Sequence, residues 1–227
     1  MNEEGRREPG FDRVIVFDLD DTLYLERRYV ESGLKAVGAW AHARLGLEKL
    51  GPLMLERFAA GSRTHIFDDS LAALDVVPPP GTIERMLNVY RQHRPDISLE
   101  ADADHFLRNP PPRTAFAIIT DGFLDAQRRK IRALDLYRRG VRLGVCTDCW
   151  GRECWKPNPR AYLHLQQFFA LPPERFTYIA DNPLKDFHAP TVLGWHTVRI
   201  ARAERLHLNV SGQVIDASKV IENLEQF

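Results

Sequence analysis

A short apolar segment that runs directly into an acidic turn constrains this chain more than any other feature. Residues 13–17 (Arg-Val-Ile-Val-Phe) have the pattern of a buried strand, and the sequence Asp-Leu-Asp-Asp-Thr follows at once. Side chains alternate across an extended segment. Asp18 and Asp20, separated by one residue, can therefore approach one reacting centre from different directions. One carboxylate can then act as a nucleophile while the other transfers protons.

The second half of the chain alternates between strand and helix patterns. Strands are predicted at 114–120, 141–147, 176–180 and 196–200, and helices at 124–134, 159–169 and 189–193. The tail can add one more strand at 214–215 and a helix over 217–224. Strands separated by helices at this spacing predict an α/β fold with a parallel sheet covered on both faces.

A helical block interrupts this alternation. Apolar residues recur at steps of three and four between residues 28 and 94, with breaks expected at Gly46, Gly51, Gly61 and residues 78–81. We therefore expect a polar tail (1–12), a core formed by 13–27 and 95–227, and a small all-helical module (28–94).

Charge and cysteine content limit the class of protein. Lys+Arg and Asp+Glu both number 31 in 227 residues, and this balance argues against a general basic field for nucleic acid or an anionic membrane. Three cysteines do not make a disulfide framework, so a reducing setting is expected. The first dozen residues lack the apolar core of a signal peptide, and no stretch approaches the roughly 18 apolar residues of a membrane span. We expect a soluble, cytoplasmic protein without a nucleic-acid or membrane partner.

Polar side chains follow several of the predicted strands. Thr120-Asp121-Gly122 ends one strand and Asp181 follows another, as Asp18 and Asp20 follow the first. Parallel sheets bind ligands outside the carboxyl ends of their strands, so these residues are expected to gather at one edge.

Mg²⁺ is the cation expected at such an edge. Close carboxylates raise one another's pKa unless a cation lies between them, and Mg²⁺ commonly binds one or two carboxylates together with phosphate oxygens. Asp181 and Asp186 supply further acid ligands, and Lys156 supplies a compact positive charge. We expect Asp18, Asp20, Asp181 and Asp186 to converge around essentially one cationic side chain, that of Lys156.

Each piece taken alone also fits an ordinary turn. The first acidic segment can be a strand-to-helix turn capped by Asp21 or Thr22, Lys156-Pro157 a surface turn, and Asp181-Asn182-Pro183 a turn. Their shared position at strand ends favours the functional interpretation, because independent turns would not all fall on one rim.

In order and spacing, these pieces resemble the four motifs of the haloacid dehalogenase-like superfamily of phosphohydrolases. The matching residues are Asp18 to Thr22, Thr120 with Asp121-Gly122, Lys156-Pro157, and Asp181 with Asp186, and the match spans residues 14–200. The resemblance implies a Rossmann-like core with a strand order like 5-4-1-2-3. It also implies a helical cap inserted after the first motif, where residues 28–94 lie.

The resemblance also implies roles for single residues. Asp18 would attack phosphorus to form an aspartyl-phosphate, and Asp20 would protonate the leaving oxygen and then activate water. Lys156 would neutralise charge, while Thr120 and backbone amides near Asp121 and Gly122 would bind phosphate oxygens.

The implied Mg²⁺ ligands are Asp18, the backbone carbonyl of Asp20, Asp181, and Asp186 directly or through water. Asp121 stands where close relatives often carry Asn, which adds negative charge near the phosphate.

The resemblance favours a small phosphorylated metabolite as substrate. Members acting on carbon–halogen bonds lack an acid at the position of Asp20. Residues 124–136 and 181–186 are similar to nucleotidase-like and acylneuraminate phosphatase-like members, which favours a nucleoside monophosphate or a sugar phosphate without choosing between them. Candidate substrate contacts near the cap are Tyr24, Arg27, Arg28 and His65. A phosphotransferase or phosphomutase, and a non-catalytic binding protein on the same fold, stay open as alternatives.

Two further features carry alternatives. A zinc site is one alternative, suggested by Cys146, Cys149 and Cys154. Two observations argue against it: no fourth ligand is evident nearby, and Cys146 falls in a predicted core strand, where cysteine serves as a small apolar residue. The basic run over residues 128–142 fits the solvated face of a helix better than a nucleic-acid surface, because no aromatic residue is interleaved with it before Tyr137.

Overall fold

A computed structural model describes residues 10–206 and 215–227 of the protein. The chain forms two compact units, one from the residues up to Leu25 together with Ser98–Phe227, the other from Glu26–Ile97. The predicted polar tail lies outside the described residues except for 10–12, and so does Val214 of the predicted C-terminal strand. Over the described residues, no helix combines the length and apolarity that crossing a membrane requires.

A parallel sheet of six strands forms the centre of the first unit, in the order β3-β2-β1-β4-β5-β6. The strands are β1 (Arg13–Phe17), β2 (Thr114–Thr120), β3 (Val141–Cys146), β4 (Phe176–Ala180), β5 (His196–Ile200) and β6 (Lys219–Ile221). The Rossmann-like α/β fold and the order 5-4-1-2-3 are confirmed, with β6 added at one edge.

Strand β1 lies in the middle because its apolar residues are buried on both faces. Phe17 pairs with Ile118 of β2 on one side and Ile179 of β4 on the other. The backbone N–H of Asp18 still donates to the carbonyl of Ile179, at 2.9 Å. The acidic turn therefore leaves the sheet at its centre, where neighbouring strands end on both sides.

Helices cover both faces of this sheet, namely α5 (Ala101–Arg108), α6 (Leu124–Ala133), α7 (Arg160–Phe169) and α8 (His188–Val192). Alternate residues of β1, β2 and β4 pack with α7 and α8 in one cluster. On the opposite face Phe106 of α5 packs edge-on against Phe17, with ring centroids 6.1 Å apart. Helix α5 was not predicted from the sequence.

The C-terminal helix predicted over 217–224 is wrong, because this segment contains strand β6. Ser218 directs the chain onto the edge of β5: its N–H donates to Thr197 Oγ1 at 3.1 Å and its hydroxyl to the Thr197 carbonyl at 2.8 Å. Ile221 is then buried. Val220 and Ile221 are β-branched, which suits an extended segment packed on a sheet edge.

The second unit is all-helical, with α1 (Glu26–Leu45), α2 (Leu50–Ala59), α3 (Ile66–Ala73) and α4 (Thr82–Gln92). Gly46 follows α1 with a φ of 70°, the left-handed conformation that ends many helices. The break predicted at Gly51 is wrong, because Gly51 lies inside α2. A Cβ on Gly38 would lie 2.5 Å from the Gly51 Cα, so this glycine lets α1 and α2 approach closely instead.

Candidate active site

Three carboxylates from the carboxyl ends of β1 and β4 meet around one lysine. Asp18 follows β1, whereas Asp181 and Asp186 follow β4. One oxygen from each of these three residues lies within 4.8 Å of the others, and all three residues are buried. We call this group the aspartate cluster. Lys156 Nζ lies 2.7 Å from Asp18 Oδ1 and 2.7 Å from Asp186 Oδ1.

The ionisation of the cluster follows from burial and like charge. Burial raises the pKa of Asp18 to about 6, and the carboxylate of Asp186 adds to the rise while Lys156 opposes it. Burial and the carboxylate of Asp18 raise the pKa of Asp181 to about 9. Although burial lowers the pKa of Lys156, Asp18 and Asp186 raise it well above its usual value, so this ammonium stays charged.

Asp186 is held mainly by protein donors. Its Oδ1 accepts from Lys156 and, at 3.2 Å, from the Tyr178 hydroxyl, while Oδ2 accepts from the backbone N–H of Asn182 at 3.0 Å. Lys156 also donates to Tyr178 at 3.0 Å. Asp186 therefore orients Lys156 and closes the turn after β4. Because both of its oxygens already accept hydrogen bonds from the protein, it is better suited to lie beside a metal ion than to be its main ligand.

Asp20 lies outside the aspartate cluster and has its own partners. Lys130 Nζ lies 2.7 and 2.9 Å from its two carboxylate oxygens, and Gln127 Nε2 donates to Oδ2 at 3.2 Å. The Tyr24 hydroxyl donates to Oδ1. Burial raises the pKa of Asp20, but Lys130 and these hydrogen bonds outweigh it and hold the pKa below its usual value of 3.8. These contacts thus favour the ionised form of Asp20.

The loop after β2 is pinned through the side chain of Asp121. Its Oδ1 accepts from the Thr147 hydroxyl at 2.7 Å and from the backbone N–H of Lys156 at 3.1 Å. Lys185 Nζ lies 3.5 Å from Oδ2. Lys185 therefore balances the extra negative charge at this position. Asp121 also links the loop after β2 to the loop after β3, which carries Lys156.

Thr120 and Gly122 flank Asp121 in the same loop. The Thr120 side chain is buried, and among the described residues its hydroxyl donates to the Asp121 carbonyl over a long distance, 3.5 Å. Gly122 has a φ of 120°, and a Cβ there would lie 2.5 Å from Gln127 Nε2. The glycine thus gives Gln127 room to reach Asp20.

The expectation of a single cation at this edge is wrong. Lys130 neutralises Asp20 and Lys185 faces Asp121, in addition to Lys156. The basic run was interpreted as a solvated helix face, but the side chain of Lys130 is only 3% exposed. Its signal in the sequence is its spacing: Gln127 and Lys130 lie three residues apart on α6, on the face that turns toward β1.

The loop after β3 holds the cysteines and tryptophans. The three cysteines are unbonded, with Cys146 and Cys154 buried and Cys149 exposed. Trp155 Nε1 donates to Asp148 Oδ1 at 3.1 Å, which fixes the loop just before Lys156. Among the described residues, the aspartate cluster is the group of His, Cys, Asp and Glu side chains close enough to share a metal ion.

Known proteins share sequence or fold with this chain. No family model matches the chain. A phosphoserine phosphatase of Thermus thermophilus is 25% identical over 179 residues, which cover 78% of this chain. The chain spans 63% of the length of that relative.

Solved structures share the fold over nearly the whole chain. A HAD-hydrolase of Bacillus subtilis bound to magnesium aligns with a TM-score of 0.63 at 15% identity, over 96% of this chain and 97% of that one. A HAD family hydrolase of Deinococcus radiodurans with bound phosphate and sodium aligns at 0.60 and 21%, over 96% and 94%. The 2-haloacid dehalogenase of Pseudomonas syringae pv. Tomato DC3000 aligns at 0.62 and 16%, over 94% and 95%.

These similarities support membership of the haloacid dehalogenase-like superfamily. Within this haloacid dehalogenase-like fold, all four matched motifs lie at the carboxyl ends of β1, β2, β3 and β4 or in the loops that follow them. The neighbours at these low identities include both phosphate-binding hydrolases and dehalogenases, so the choice of chemistry rests on the side chains of this site.

Proposed function

We propose that this protein is a Mg²⁺-dependent phosphatase that hydrolyses a small phosphorylated metabolite through an aspartyl-phosphate intermediate. The observation that carries the proposal is the separation of two carboxylates by environment. Asp18 lies in the aspartate cluster on Lys156, whereas Asp20, two residues on, is held apart by Lys130, Gln127 and Tyr24. Each carboxylate thus has its own lysine, as a nucleophile and a separate proton-transfer group require.

In the first half of the reaction, an Asp18 oxygen forms a bond to phosphorus and the bond from phosphorus to the ester oxygen breaks. Lys156, 2.7 Å from Asp18, neutralises the charge that gathers on the nucleophile and the phosphoryl group. Asp20 gives the leaving oxygen a proton. The approaching phosphate dianion raises the pKa of Asp20, so that this carboxylate takes up the proton it later donates.

In the second half, water attacks the phosphorus of the aspartyl-phosphate and passes a proton back to Asp20. The bond between phosphorus and the Asp18 oxygen breaks, which releases inorganic phosphate and regenerates the free carboxylate. The Lys130 ammonium favours the ionised form of Asp20, which is the form that can accept this proton.

The aspartate cluster fits Mg²⁺. Buried carboxylate oxygens within 4.8 Å of one another are hard donors. The pKa of Asp181, raised to about 9 by burial and by the neighbouring carboxylates, indicates that the nearby lysines do not balance the negative charge around it. Asp18 and Asp181 would hold the ion, with the Asp20 carbonyl and Asp186 beside it. Mg²⁺ would supply charge neutralisation and a fixed orientation for the phosphoryl oxygens.

Asp20 favours phosphate esters over carbon–halogen bonds. A halide leaves without a proton, so a dehalogenase has no use for a proton donor beside its nucleophile. Here that position carries a carboxylate with three side-chain partners. We expect inorganic phosphate release from esters and no halide release from 2-haloacids.

A substrate panel tests the proposal. We would measure inorganic phosphate release from nucleoside monophosphates, sugar phosphates and phosphoserine, the last because of the name of the curated relative. Activity that needs Mg²⁺ and is lost in Asp18→Asn supports the proposal. Asp125→Asn, the same change on the exposed side of α6, is the matched control.

Three results would contradict the proposal. Wild-type turnover in a folded Asp18→Asn variant would exclude Asp18 as nucleophile. Phosphate transfer to an added acceptor, with negligible hydrolysis, would support the phosphotransferase alternative. No phosphate release from any member of the panel, together with retained binding, would favour a binding protein on this fold.

A further inference from the structure

A cleft of about 310 Å³ lies at the edge of the sheet, around strand β3. Leu124 and Ile131 of α6 and Leu143 of β3 contribute apolar walls, while Tyr137 and Trp150 contribute aromatic ones. None of the residues proposed to act in catalysis lines this cleft. Its volume lies at the lower end of the range for small-molecule sites, roughly 300 to 1,000 Å³.

Two arginines face the cleft without protein partners. Arg128 and Arg132 lie one helical turn apart on α6, and both are exposed. Within the part of the chain that the structure describes, neither guanidinium takes part in a hydrogen bond or an ion pair. These arginines lie on a different face of α6 from Gln127 and Lys130, whose side chains reach Asp20.

No Asp or Glu is found among the described residues that line the cleft. Asp125, three residues before Arg128 on α6, is exposed and forms no ion pair with it among the described residues, and two other nearby carboxylates have partners elsewhere. Asp148 accepts from the backbone N–H of Leu124 at 3.0 Å and from Trp155, while Asp135 lies 3.8 Å from Arg138. The described residues that line the cleft therefore supply no carboxylate to pair with the two guanidinium groups.

A second hollow of about 510 Å³ extends the positive surface. It shares Trp150 and His164 with the cleft and adds Arg160. The Arg160 guanidinium lies over the Trp150 ring, 4.9 Å from its centroid. Trp150 thus lines two hollows that each contain arginine, in a protein whose overall charge is zero.

We propose that this cleft, lined by Arg128, Arg132 and Trp150, binds a small organic anion with an aromatic body. The planar fork of arginine matches carboxylate and phosphate groups in two-point hydrogen bonding. A bare inorganic ion would leave the apolar and aromatic walls in contact with water. An aromatic body would cover those walls and Trp150 while its anionic group meets the two arginines.

Isothermal titration calorimetry with three matched probes tests this site. The probes are 1-naphthoate, 1-naphthyl phosphate and the neutral 1-naphthalenemethanol, used with EDTA so that the phosphate ester is not hydrolysed. We expect both anions, or the one whose head group fits, to bind at least tenfold more tightly than the alcohol. The stronger of the two anions identifies the head group as carboxylate or phosphate.

Matched variants locate the binding. The double variant Arg128→Gln/Arg132→Gln should weaken anion binding at least tenfold. Arg138→Gln, on the same basic run but outside the cleft, should change it less than twofold. Equal thermal unfolding of these variants and the wild type shows that the fold is intact. Arg128→Glu, a single exposed change, provides a second variant and should weaken binding further than Arg128→Gln.

Three outcomes would overturn the proposal. They are absence of binding by both anions, equal binding by the alcohol, and unchanged anion affinity in the folded double variant. The test is independent of the phosphatase proposal, because 1-naphthoate should bind Asp18→Asn as it binds the wild type. Loss of 1-naphthoate binding in Asp18→Asn would place the anion in the active site instead.

Discussion

Lys130 Nζ lies 2.7 and 2.9 Å from the two carboxylate oxygens of Asp20, with only 3% of the Lys130 side chain exposed. The lysine comes from α6 and the aspartate from the turn after β1, 110 residues apart in the chain. Breaking a buried ion pair from one side leaves an uncompensated charge. The contact therefore fixes both the position and the ionisation of Asp20.

Lys130→Met should lower kcat by about 10- to 100-fold, which corresponds to about 1.4 to 2.7 kcal/mol of transition-state stabilisation. KM should change much less, because Lys130 acts through Asp20 and not on the substrate. Steady-state phosphate release measures both constants. Lys35→Met, the same change at an exposed position of α1, is the control. An unchanged kcat in a folded Lys130→Met variant would show that the pair is structural.

The sequence predicted the frame of the site well. The strands β1, β2, β4 and β5 were predicted with the bounds that the structure shows, because their apolar runs end abruptly at polar turns. Since parallel strands end on the same edge, Asp18 and Asp181 could be brought together without coordinates.

The partners of these residues were not predictable in the same way. Lys130 stands in a run of arginines, and only the folded position of α6 shows that its side chain reaches Asp20. Tyr178 lies in a buried strand where tyrosine usually packs, and its bond to Asp186 depends on a turn between them. Strand β6 was missed because three residues of pairing leave no periodic pattern.

Gly122→Ala should impair catalysis more than backbone strain alone explains. Its φ of 120° disfavours any side chain, and the new Cβ would lie 2.5 Å from Gln127 Nε2, which donates to Asp20. We expect a fall in kcat of at least tenfold with modest loss of stability. Gly140→Ala is the matched control, since its φ is 91° but nothing lies within 4 Å of the added Cβ. Equal kcat values for the two variants would refute the role of Gln127.

Mg²⁺ should stabilise the protein through the aspartate cluster. Ligand binding at 100 times its Kd adds about 2.7 kcal/mol to the free energy of unfolding, so thermal unfolding should shift upward with Mg²⁺. Asp181→Asn should abolish most of this shift. Without Mg²⁺ the variant should unfold close to the wild-type temperature, because the carboxyl with a pKa of about 9 is already protonated at pH 7. Asp216→Asn, at an exposed position, should keep the full shift; a full shift in Asp181→Asn would exclude it as a ligand.

A pH-dependent contribution to stability should come from Asp102 of α5. Arg202 donates to its two oxygens at 3.1 and 3.0 Å, and the backbone N–H of Leu224 donates to Oδ2 at 2.7 Å. Burial raises the pKa of Asp102, but these hydrogen bonds and the Arg202 charge outweigh it and hold the pKa below 3.8. Since the folded pKa is the lower one, the stabilisation is present above about pH 4 and is lost as pH falls through the folded value.

Urea unfolding between pH 6 and pH 3 measures this contribution. The wild type should lose stability over that interval more steeply than Asp102→Asn, which has no proton to take up and is already less stable at pH 6. Asp125→Asn, exposed on α6, should follow the wild-type curve. Parallel curves for the wild type and Asp102→Asn would mean that another group governs acid unfolding. Asp102 on α5 accepts hydrogen bonds from Arg202, after β5, and from Leu224, near the C-terminus. The same experiment therefore reports whether these bonds hold the C-terminal residues against α5.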